Sequence, residues 1–197
     1  MDVKERLLQA AARLYAEAGY RGATTRRIAM EAGVNELTLF RHFGSKAELL
    51  HTAIGSCQAQ ELDLGLPEAP VDPVAELTAW AEGRLGEMRR HSALIRTALG
   101  EVEEHPDLIR PSEHPMACSG ELLAAYVGRL RALGMAHGDF DPRAAATMLL
   151  SSLIVDALVR DVMPGIFGPD PAHDLSEYVR LFLRGVGVEV REPVRGT

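Results

Sequence analysis

Residues 24–42 read TTRRIAMEAGVNELTLFRH, and this stretch decides the fold. It divides into two short helical segments joined at Gly33, the residue type that most readily adopts a positive φ in an abrupt turn. Ile28 and Ala29 are placed to face a core, whereas polar residues lie on the outer side of the second segment. Two such helices are typical of a helix-turn-helix, whose second helix enters the major groove of duplex DNA. The stretch therefore predicts a DNA-binding unit.

The flanking residues extend this unit to three helices. An apolar stripe at helical spacing marks the first helix: Leu7, Leu8, Ala11, Leu14, Tyr15 and Ala18. Gly19 is expected to end that helix as a left-handed cap, and Thr24 or Thr25 is expected to cap the second. Leu39 and Phe43 lie four apart and direct the third helix at the same core. Its outer side then carries Leu37, Thr38, Arg41 and His42.

A fourth helix is predicted to leave this unit. Ser45 and Glu48 have capping-box spacing, in which each side chain satisfies an orphan backbone amide. The helix is expected to run to about Asp63 and to join two domains, a helix-turn-helix domain of residues 1–50 and a helical domain of residues 51–197.

The rest of the chain is a series of amphipathic stripes. Asp72-Pro73 and Asp141-Pro142 are predicted helix starts, since an aspartate caps and a proline fits the first turn. The stripes comprise Val74, Leu77, Ala81, Leu85 and Met88; Leu94, Ile95, Ala98, Leu99 and Val102; Leu122, Leu123, Tyr126, Val127, Leu130 and Leu133; and Leu175, Tyr178, Val179, Phe182, Leu183 and Val186. No segment alternates with period two, so an all-α fold without a sheet is predicted.

The helix that follows Asp141 is apolar nearly all round. Its uncharged stretch, residues 144–155, is shorter than the roughly 18 to 20 residues that a bilayer span requires, so a buried helix and not a membrane anchor is expected. A small monomer can hardly cover both sides of such a helix. We therefore expect the last two helices to form a four-helix interface in a homodimer, the alternative being that they are the core of a single chain.

The charge of the chain is divided unevenly. Residues 1–51 hold eight Lys or Arg and six Asp or Glu, which gives +2, and the remaining residues hold 13 against 22, which gives −9, in agreement with the total of −7. A basic N-terminal segment followed by an acidic remainder favours an arrangement in which the N-terminal segment faces DNA phosphates. The acidic remainder disfavours a nonspecific architectural DNA-binding protein. Met1 is not followed by a secretory signal, which predicts a cytoplasmic protein. Cys57 and Cys118 lack partners at metal-ligand spacing and are expected to be buried thiols.

Ordered short motifs carry a family resemblance over residues 6–50. They are Leu14-Tyr15, Ala18-Gly19-Tyr20, Ala23-Thr24-Thr25, Ile28-Ala29, Ala32-Gly33-Val34, Thr38-Leu39-Phe40-Arg41-His42-Phe43, Ser45-Lys46 and Leu49-Leu50. In this order they resemble the TetR (tetracycline-repressor-like) family of bacterial transcriptional regulators. The remaining three-quarters of the chain is similar to that family only in its helical layout.

The resemblance implies a sequence-specific DNA-binding regulator and not an enzyme. It implies a homodimeric repressor that leaves a palindromic operator when a small apolar effector binds the C-terminal ligand-binding and dimerisation domain, with no metal or cofactor. It implies that Thr25 and Lys46 position phosphates, that His42 does so in place of a tyrosine hydroxyl, and that Phe40 packs against sugar. Base contacts are implied for Arg26, Arg27, Asn35, Glu36, Leu37, Thr38 and Arg41.

Simpler interpretations stay open for some of these residues. Arg26 and Arg27 would also suit a solvated helix face, and His42 would also suit packing near Phe43. The candidate effector pocket, for which plain core is an equal alternative, comprises Trp80, Met88, Met116, Cys118 and Tyr126.

An enzyme is the competing class, and one polar cluster supports it. The cluster comprises Glu101, Glu103, Glu104, His105, Glu113 and His114. Glu101 and His105 lie four apart, as metal ligands on a helix can. A helix end beside prolines also normally holds solvated charges, which is the preferred interpretation. A similar polar loop of His137, Asp139 and Asp141 is predicted to be a cap and a turn.

Overall fold

A computed structural model describes residues 1–59, 65–110 and 115–190. These residues form α-helices joined by turns and two 3₁₀ segments, with no strand among them, which confirms the all-α prediction. The helices are α1 (Val3–Gly22), α2 (Thr25–Glu31), α3 (Glu36–Phe43), α4 (Lys46–Ala59), α5 (Pro73–Arg90), α6 (Ser92–Glu101), α7 (Pro115–Ala132), α8 (Pro142–Val159) and α9 (Pro171–Gly185).

The chain divides into two compact units. The first comprises Met1–Glu61 and Met88–Ala117, and the second comprises Leu62–Glu87 and Cys118–Thr197. Helix α6 therefore packs with the N-terminal helices, although it follows them by more than thirty residues in the chain. The predicted domain division at residue 50 stays a prediction, and it does not coincide with this division into packed units.

The first unit is organised around α1. The predicted stripe is buried except for Ala18, which is exposed, so that part of the prediction was wrong. Gly19 has the positive φ expected of it, 66°, but the chain resumes a helical turn as far as Gly22 instead of ending there. Leu94 and Ala98 of α6 join the same core. The core thus joins α6 to the helix-turn-helix.

Local signals at the next three helices act mostly as predicted. Thr24 caps α2 by accepting from the Arg27 N–H at 3.3 Å, and Gly33 makes the turn with φ 66°. Ser45 accepts from the Glu48 N–H at 3.1 Å and so starts α4. The Glu48 carboxylate, which the capping box would direct back to residue 45, instead pairs with Arg110 at 2.6 Å, and this pairing lowers its pKa.

The second unit begins its helices at aspartates. Asp72 accepts from the Ala75 N–H at 3.1 Å, and Asp141 accepts from the Ala144 N–H at 2.8 Å, which confirms both predicted starts. Helix α8, which starts at Asp141-Pro142, ends at Val159. Helix α9 packs against α8.

Some apolar residues predicted to face inward are on the surface. They are Leu99, Leu122 and Leu133. Leu99 and Leu122 each have an apolar neighbour that takes the buried place, Ala98 and Leu123 respectively. Cys118 is also exposed, which corrects the expectation of a buried thiol, while the side chain of Cys57 lies outside the described residues.

Helix α8 is only partly covered by its own chain. By length and composition it is apolar enough to cross a membrane, with mean hydropathy 1.4, and 39% of it is buried. Core helices of soluble folds meet the same criterion, so the feature is weak evidence for a span. Met148 and Val155 remain 55% and 46% exposed. The expected burial of α8 is therefore incomplete within a single chain.

Candidate nucleic-acid interface

Helix α3 is held by its inner side and by its caps. Leu39 and Phe43 are buried in the first unit. At the start of the helix the Asn35 Oδ1 accepts from both the backbone N–H and the hydroxyl of Thr38, each at 2.8 Å. Gly44 ends the helix with φ 72°, a conformation that glycine adopts without strain. The side chains on the outer side thus project from a fixed rod.

The outer side of α3 carries the residue types predicted for it. Leu37 is 69% exposed and Phe40 is 42% exposed, and Arg41 and His42 are also exposed. Thr38 is half-buried, with its hydroxyl committed to the cap. Leu37 and Phe40 are apolar side chains exposed to water near Arg41, which is unfavourable in the free protein. They suit contact with thymine methyls and with sugars beside phosphates. The structure therefore brings these predicted residues together on one surface.

The cap role of Asn35 bears on its predicted base contact. Asn35 is exposed, but its side-chain oxygen already accepts two hydrogen bonds. Bidentate recognition of adenine requires both the oxygen and the nitrogen of the amide. The cap therefore leaves the amide nitrogen as the group that is better placed to meet a base.

Helix α2 contributes side chains that are partly committed within the protein. Arg26 and Arg27 are exposed, and Arg27 donates to the Gly22 carbonyl at 2.7 Å. The Thr25 hydroxyl donates to the Glu36 carboxylate and so ties α2 to α3. A hydroxyl has one proton, so Thr25 cannot donate to Glu36 and to a phosphate at once. Contacts of Thr25 or Glu36 with DNA would require this bond to exchange.

The placement of His42 is compatible with both of its predicted roles, packing near Phe43 and contact with phosphate. Its ring centroid is 6.3 Å from that of Phe43, at the outer edge of aromatic contact, with the planes at 47°. The side chain is nevertheless exposed. Packing beside Phe43 therefore leaves the imidazole accessible, and the predicted phosphate contact stays a prediction.

Lys46, the first residue of α4, is directed into the protein. Its ammonium donates to the Tyr20 carbonyl and lies 3.8 Å from the centroid of the Tyr20 ring. Burial lowers the pKa of Lys46, and the charge of Glu101 opposes that shift. The predicted phosphate-binding cation is thus partly desolvated and has a partner within the chain.

The sequence analysis missed the role of Tyr20, Glu101 and His105. Both carboxylate oxygens of Glu101 accept from the Tyr20 backbone N–H, at 3.1 and 3.0 Å, and the His105 ring stacks on the Tyr20 ring at 3.9 Å. Glu101 and His105, which four-residue spacing made candidate metal ligands, therefore both contact α1. The four-residue spacing of Glu101 and His105 was the available signal, but it was interpreted as a metal site instead of a contact with α1.

The described part of the polar cluster does not form a metal site. Glu103 and Glu104 are exposed, and Glu113 and His114 lie outside the described residues. Among the residues that the structure describes, no group of three His, Cys, Asp or Glu side chains is placed to hold a metal ion.

The described members of the predicted pocket differ in burial and in the unit to which they belong. Trp80 and Tyr126 are buried in the second unit, where the Tyr126 hydroxyl donates to Glu76 at 2.6 Å and the Trp80 Nε1 has no hydrogen-bond partner among the described residues. Met88 is buried in the first unit, Cys118 is exposed, and the Met116 side chain lies outside the described residues. Trp80 and Tyr126 are thus the two members that are buried in the same unit, and the predicted pocket stays a prediction.

A cavity in the second unit lies elsewhere. It measures about 890 Å³ and is open to solvent. Its lining comprises Val71, Asp72, Pro73, Val74, Gly134, Met135, His137, Val188 and Glu189. None of the five predicted pocket residues contributes to it.

Comparison with known families assigns the N-terminal helices. Residues 7–53 match the family described as bacterial regulatory proteins, tetR family. These residues are therefore similar to the tetR family. The matched residues span the helices that hold the outer side of α3, from the first buried leucine of α1 to the middle of α4.

Sequence relatives extend the match beyond α4. An HTH-type transcriptional repressor of Streptomyces coelicolor is 31% identical over 110 residues, which are 56% of this chain and 55% of the relative. The alignment thus spans about half the length of that relative. An HTH-type transcriptional repressor of Mycobacterium tuberculosis is 28% identical over 161 residues, 81% of this chain and 82% of the relative.

A solved structure matches the chain over nearly its full length. It is the crystal structure of a transcriptional regulator from Rhodococcus sp. Rha1, with 25% identity and a TM-score of 0.69. The match covers 95% of this chain and 99% of that chain. The second unit therefore shares its helical layout with a regulator, although its sequence has diverged.

Proposed function

We propose that this chain is a transcriptional regulator of the tetR family that binds duplex DNA in a sequence-specific way and represses transcription. The outer side of α3 carries the proposal, because a helix fixed by Leu39 and Phe43 presents Leu37 and Arg41 to solvent. Such a helix fits the major groove, where arginine bonds guanine and an aliphatic side chain meets the thymine methyl. The curated relatives, which are repressors by name, support the same class.

Contacts to phosphate would set the register of α3. Arg26 at the front of α2 and His42 at the end of α3 are exposed on the same unit. Cationic and imidazole donors at these places suit the phosphates on either side of the groove. The +2 charge of residues 1–51, against −9 for the rest, favours approach of this end of the chain to DNA.

The regulator is proposed to act as a homodimer through α8 and α9. Met148 and Val155 lie seven residues apart on one side of α8, and Leu181 of α9 is also exposed. An apolar side that its own chain leaves uncovered suits a second copy related by a two-fold axis. Two α3 helices about 34 to 36 Å apart would then read a palindromic operator.

The effector is proposed to bind inside the second unit. Trp80 and Tyr126 offer buried aromatic surface, and the Trp80 Nε1 is a donor without a partner in the described part of the chain. A small, largely apolar molecule with one acceptor would suit such surroundings. Its binding would release the operator by favouring a separation of the two α3 helices that does not match successive grooves.

Selection from random duplexes tests the DNA-binding proposal. The full-length chain should enrich a palindrome, and gel shifts with that palindrome should show loss of preference for Arg41→Ala. Arg13→Ala is the control, because Arg13 is an exposed arginine of α1 that pairs with Glu17 and Glu31 and lies outside α3. Enrichment of no sequence, or equal weakening by the two substitutions, would overturn the proposal.

A further inference from the structure

Lys46 has two possible partners that it cannot satisfy together. Within the chain its ammonium donates to the Tyr20 carbonyl and lies over the Tyr20 ring, 3.8 Å from the centroid. A DNA phosphate is the other candidate, since Lys46 begins α4 on the unit that carries α3. An ammonium over an aromatic face and against a carbonyl gives up part of its hydration, and it must leave both to reach a phosphate.

Glu101 holds Tyr20, the residue to which the Lys46 ammonium donates. Both of its carboxylate oxygens accept from the Tyr20 N–H, at 3.1 and 3.0 Å, across 81 positions of sequence. The His105 ring stacks on the Tyr20 ring, with the two ring centroids 3.9 Å apart and the two planes at 29°. Tyr20 is therefore held by its amide and by its ring from residues at the end of α6.

The backbone at Gly19 makes this arrangement possible. Gly19 leaves the helical conformation with φ 66°, so the N–H of the next residue loses its partner within α1. Glu101 supplies the missing acceptor. A Cβ built at Gly19 would lie 2.5 Å from Glu101 Oε1, so any side chain there would displace the carboxylate.

Glu101 also faces Lys46 and Tyr15 through its charge. It opposes the pKa depression that burial causes at Lys46, and with burial it raises the pKa of the Tyr15 hydroxyl. We call these five residues, Tyr15, Tyr20, Lys46, Glu101 and His105, the Glu101 cluster. Within this cluster the Glu101 carboxylate therefore attracts the Lys46 ammonium.

We infer that Glu101 is a positioning residue for DNA binding, which holds the Lys46 ammonium against Tyr20 and away from phosphate. The inference rests on the proposed DNA-binding function and adds a residue of α6 to it. Duplex binding must then either draw Lys46 away from the Glu101 cluster or proceed without that phosphate contact.

Glu101→Gln separates the hydrogen bond from the charge. The amide oxygen of glutamine can still accept from the Tyr20 N–H, so α1 keeps its support. The negative charge that attracts Lys46 is lost, so the ammonium should transfer more readily to phosphate. Each phosphate that a cation neutralises steepens the dependence of log K on log salt by about 0.9.

The test measures duplex affinity of the full chain across a series of salt concentrations by fluorescence anisotropy, with the duplex obtained by selection. Glu101→Gln should bind about three- to tenfold more tightly at low salt, with a steeper salt slope. The matched control is Glu104→Gln, which removes the same charge from an exposed position three residues away. Equal effects of the two substitutions would overturn the inference, because they would reflect general charge alone.

A double substitution isolates Lys46. In a Lys46→Met background the additional change Glu101→Gln should leave affinity and salt slope unchanged, whereas an undiminished gain would refute the role of the cluster. Thermal unfolding of each variant identifies any loss that comes from folding.

A readout without DNA separates this inference from the proposed function. In the free wild-type chain the side-chain methylene protons of Lys46 should show an upfield ring-current shift from Tyr20, and Glu101→Gln should reduce it while Glu104→Gln should not. Absence of that shift in the wild-type chain would overturn the inference even if DNA binds. A wild-type chain that shows the shift but binds no duplex would refute the DNA-binding function, and with it the assignment of Glu101 to that function.

Discussion

The outer side of α3 and the Arg160 cluster of the second unit both carry charged groups, but they use them differently. Arg160 donates to Asp156 at 3.1 Å, to Asp174 at 2.7 Å and to the Gly168 carbonyl at 2.9 Å. Tyr178 donates to Asp156 as well, at 3.2 Å. On α3, Arg41 and His42 project from the surface beside exposed Leu37.

This difference distinguishes a charge that stabilises the fold from one that is available for a partner. In the Arg160 cluster each charge is taken out of water and compensated inside the chain, so it contributes little that an external molecule could use. On α3 the cations remain hydrated and apolar side chains stand beside them. Such a surface gains most by meeting a partner that supplies both phosphate and apolar base edges.

The largest expected effect lies in the Arg160 cluster. Arg160→Met leaves the Asp156 carboxylate buried without its cation, which should lower the free energy of unfolding by about 3 to 5 kcal/mol. Urea unfolding followed by circular dichroism measures this. Arg143→Met is the control, since Arg143 and Glu121 form an exposed pair and its loss should cost about 1 kcal/mol or less. Similar losses for the two variants would contradict the distinction drawn above.

Helix α8 provides the next test, because its exposed side is apolar instead of charged. Placing charges there by Met148→Glu and Val155→Glu should weaken the proposed homodimer by at least about 2 kcal/mol, since each glutamate would lose its hydration in the interface. Sedimentation velocity over a range of concentrations measures the change. Thr147→Glu, on an exposed polar position of the same helix, is the comparison. A wild-type chain that stays monomeric would contradict the dimer.

Substitutions on α3 should separate base contacts from phosphate contacts. Thr38→Ala and Arg41→Ala should each lose about 1 to 3 kcal/mol of preference for the selected sequence, because the first removes a methyl group and the hydroxyl that orients Asn35, and the second removes an exposed guanidinium. Lys46→Ala should weaken binding to all duplexes alike, and it should flatten the salt slope by less than the value of about 0.9 for a full phosphate contact, because Glu101 holds part of the Lys46 population against Tyr20. Competition gel shifts against a scrambled duplex measure both quantities. Equal losses on every sequence for all three variants would refute the assigned roles.

The smallest expected effect concerns pH and Glu76. Its burial raises the pKa, but donation from the Tyr126 hydroxyl and from the Val71 and Asp72 backbone N–H groups outweighs this, so the pKa lies below its usual 4.5. A carboxyl with a lowered folded-state pKa stabilises the fold above its unfolded pKa, and this contribution is lost as pH falls through the folded value. Below pH 4.5 the measured free energy of unfolding should therefore fall less steeply with decreasing pH in the Glu76→Gln variant than in the wild-type chain.

Exposed Glu82 lies on the same helix and provides the control for that experiment. Glu82→Gln should leave the acid profile close to that of the wild-type chain. A profile unchanged by Glu76→Gln would show that the three donors do not discriminate between its ionised and neutral forms.

Local signals in the sequence predicted most of the fold. Caps at Thr24, Ser45 and Asp141 act over three or four residues, and a positive φ at Gly33 depends on one residue, so each was visible in the chain. The buried positions of α1 followed from helical spacing. Where two apolar residues adjoin, as at Leu122 and Leu123, spacing alone could not determine which one faces inward, because the position of the neighbouring helix decides it.

Long-range contacts could not be predicted in the same way. The Glu101 carboxylate and the Tyr20 amide meet only because α6 packs on α1. In sequence, Glu101 is one of several carboxylates near prolines, and its spacing from His105 suggested a metal instead. Similarly, the Lys46 position was correct, but the direction of its ammonium depends on Tyr20. The outer side of α3, which needs no distant contact to be exposed, was the part of the site that sequence predicted best.

The chain contains a single indole, that of Trp80, and it lies in the second unit with 2% of its surface exposed. Its nitrogen is buried and has no hydrogen-bond acceptor among the described residues, so this chromophore should emit at short wavelength. Fluorescence excited at the red edge of the protein absorption band, where tryptophan alone absorbs, therefore originates from Trp80, outside the unit that carries α3. A change in that emission on titration with an unlabelled duplex would be a direct optical record of communication between the two units, obtained without attaching a dye.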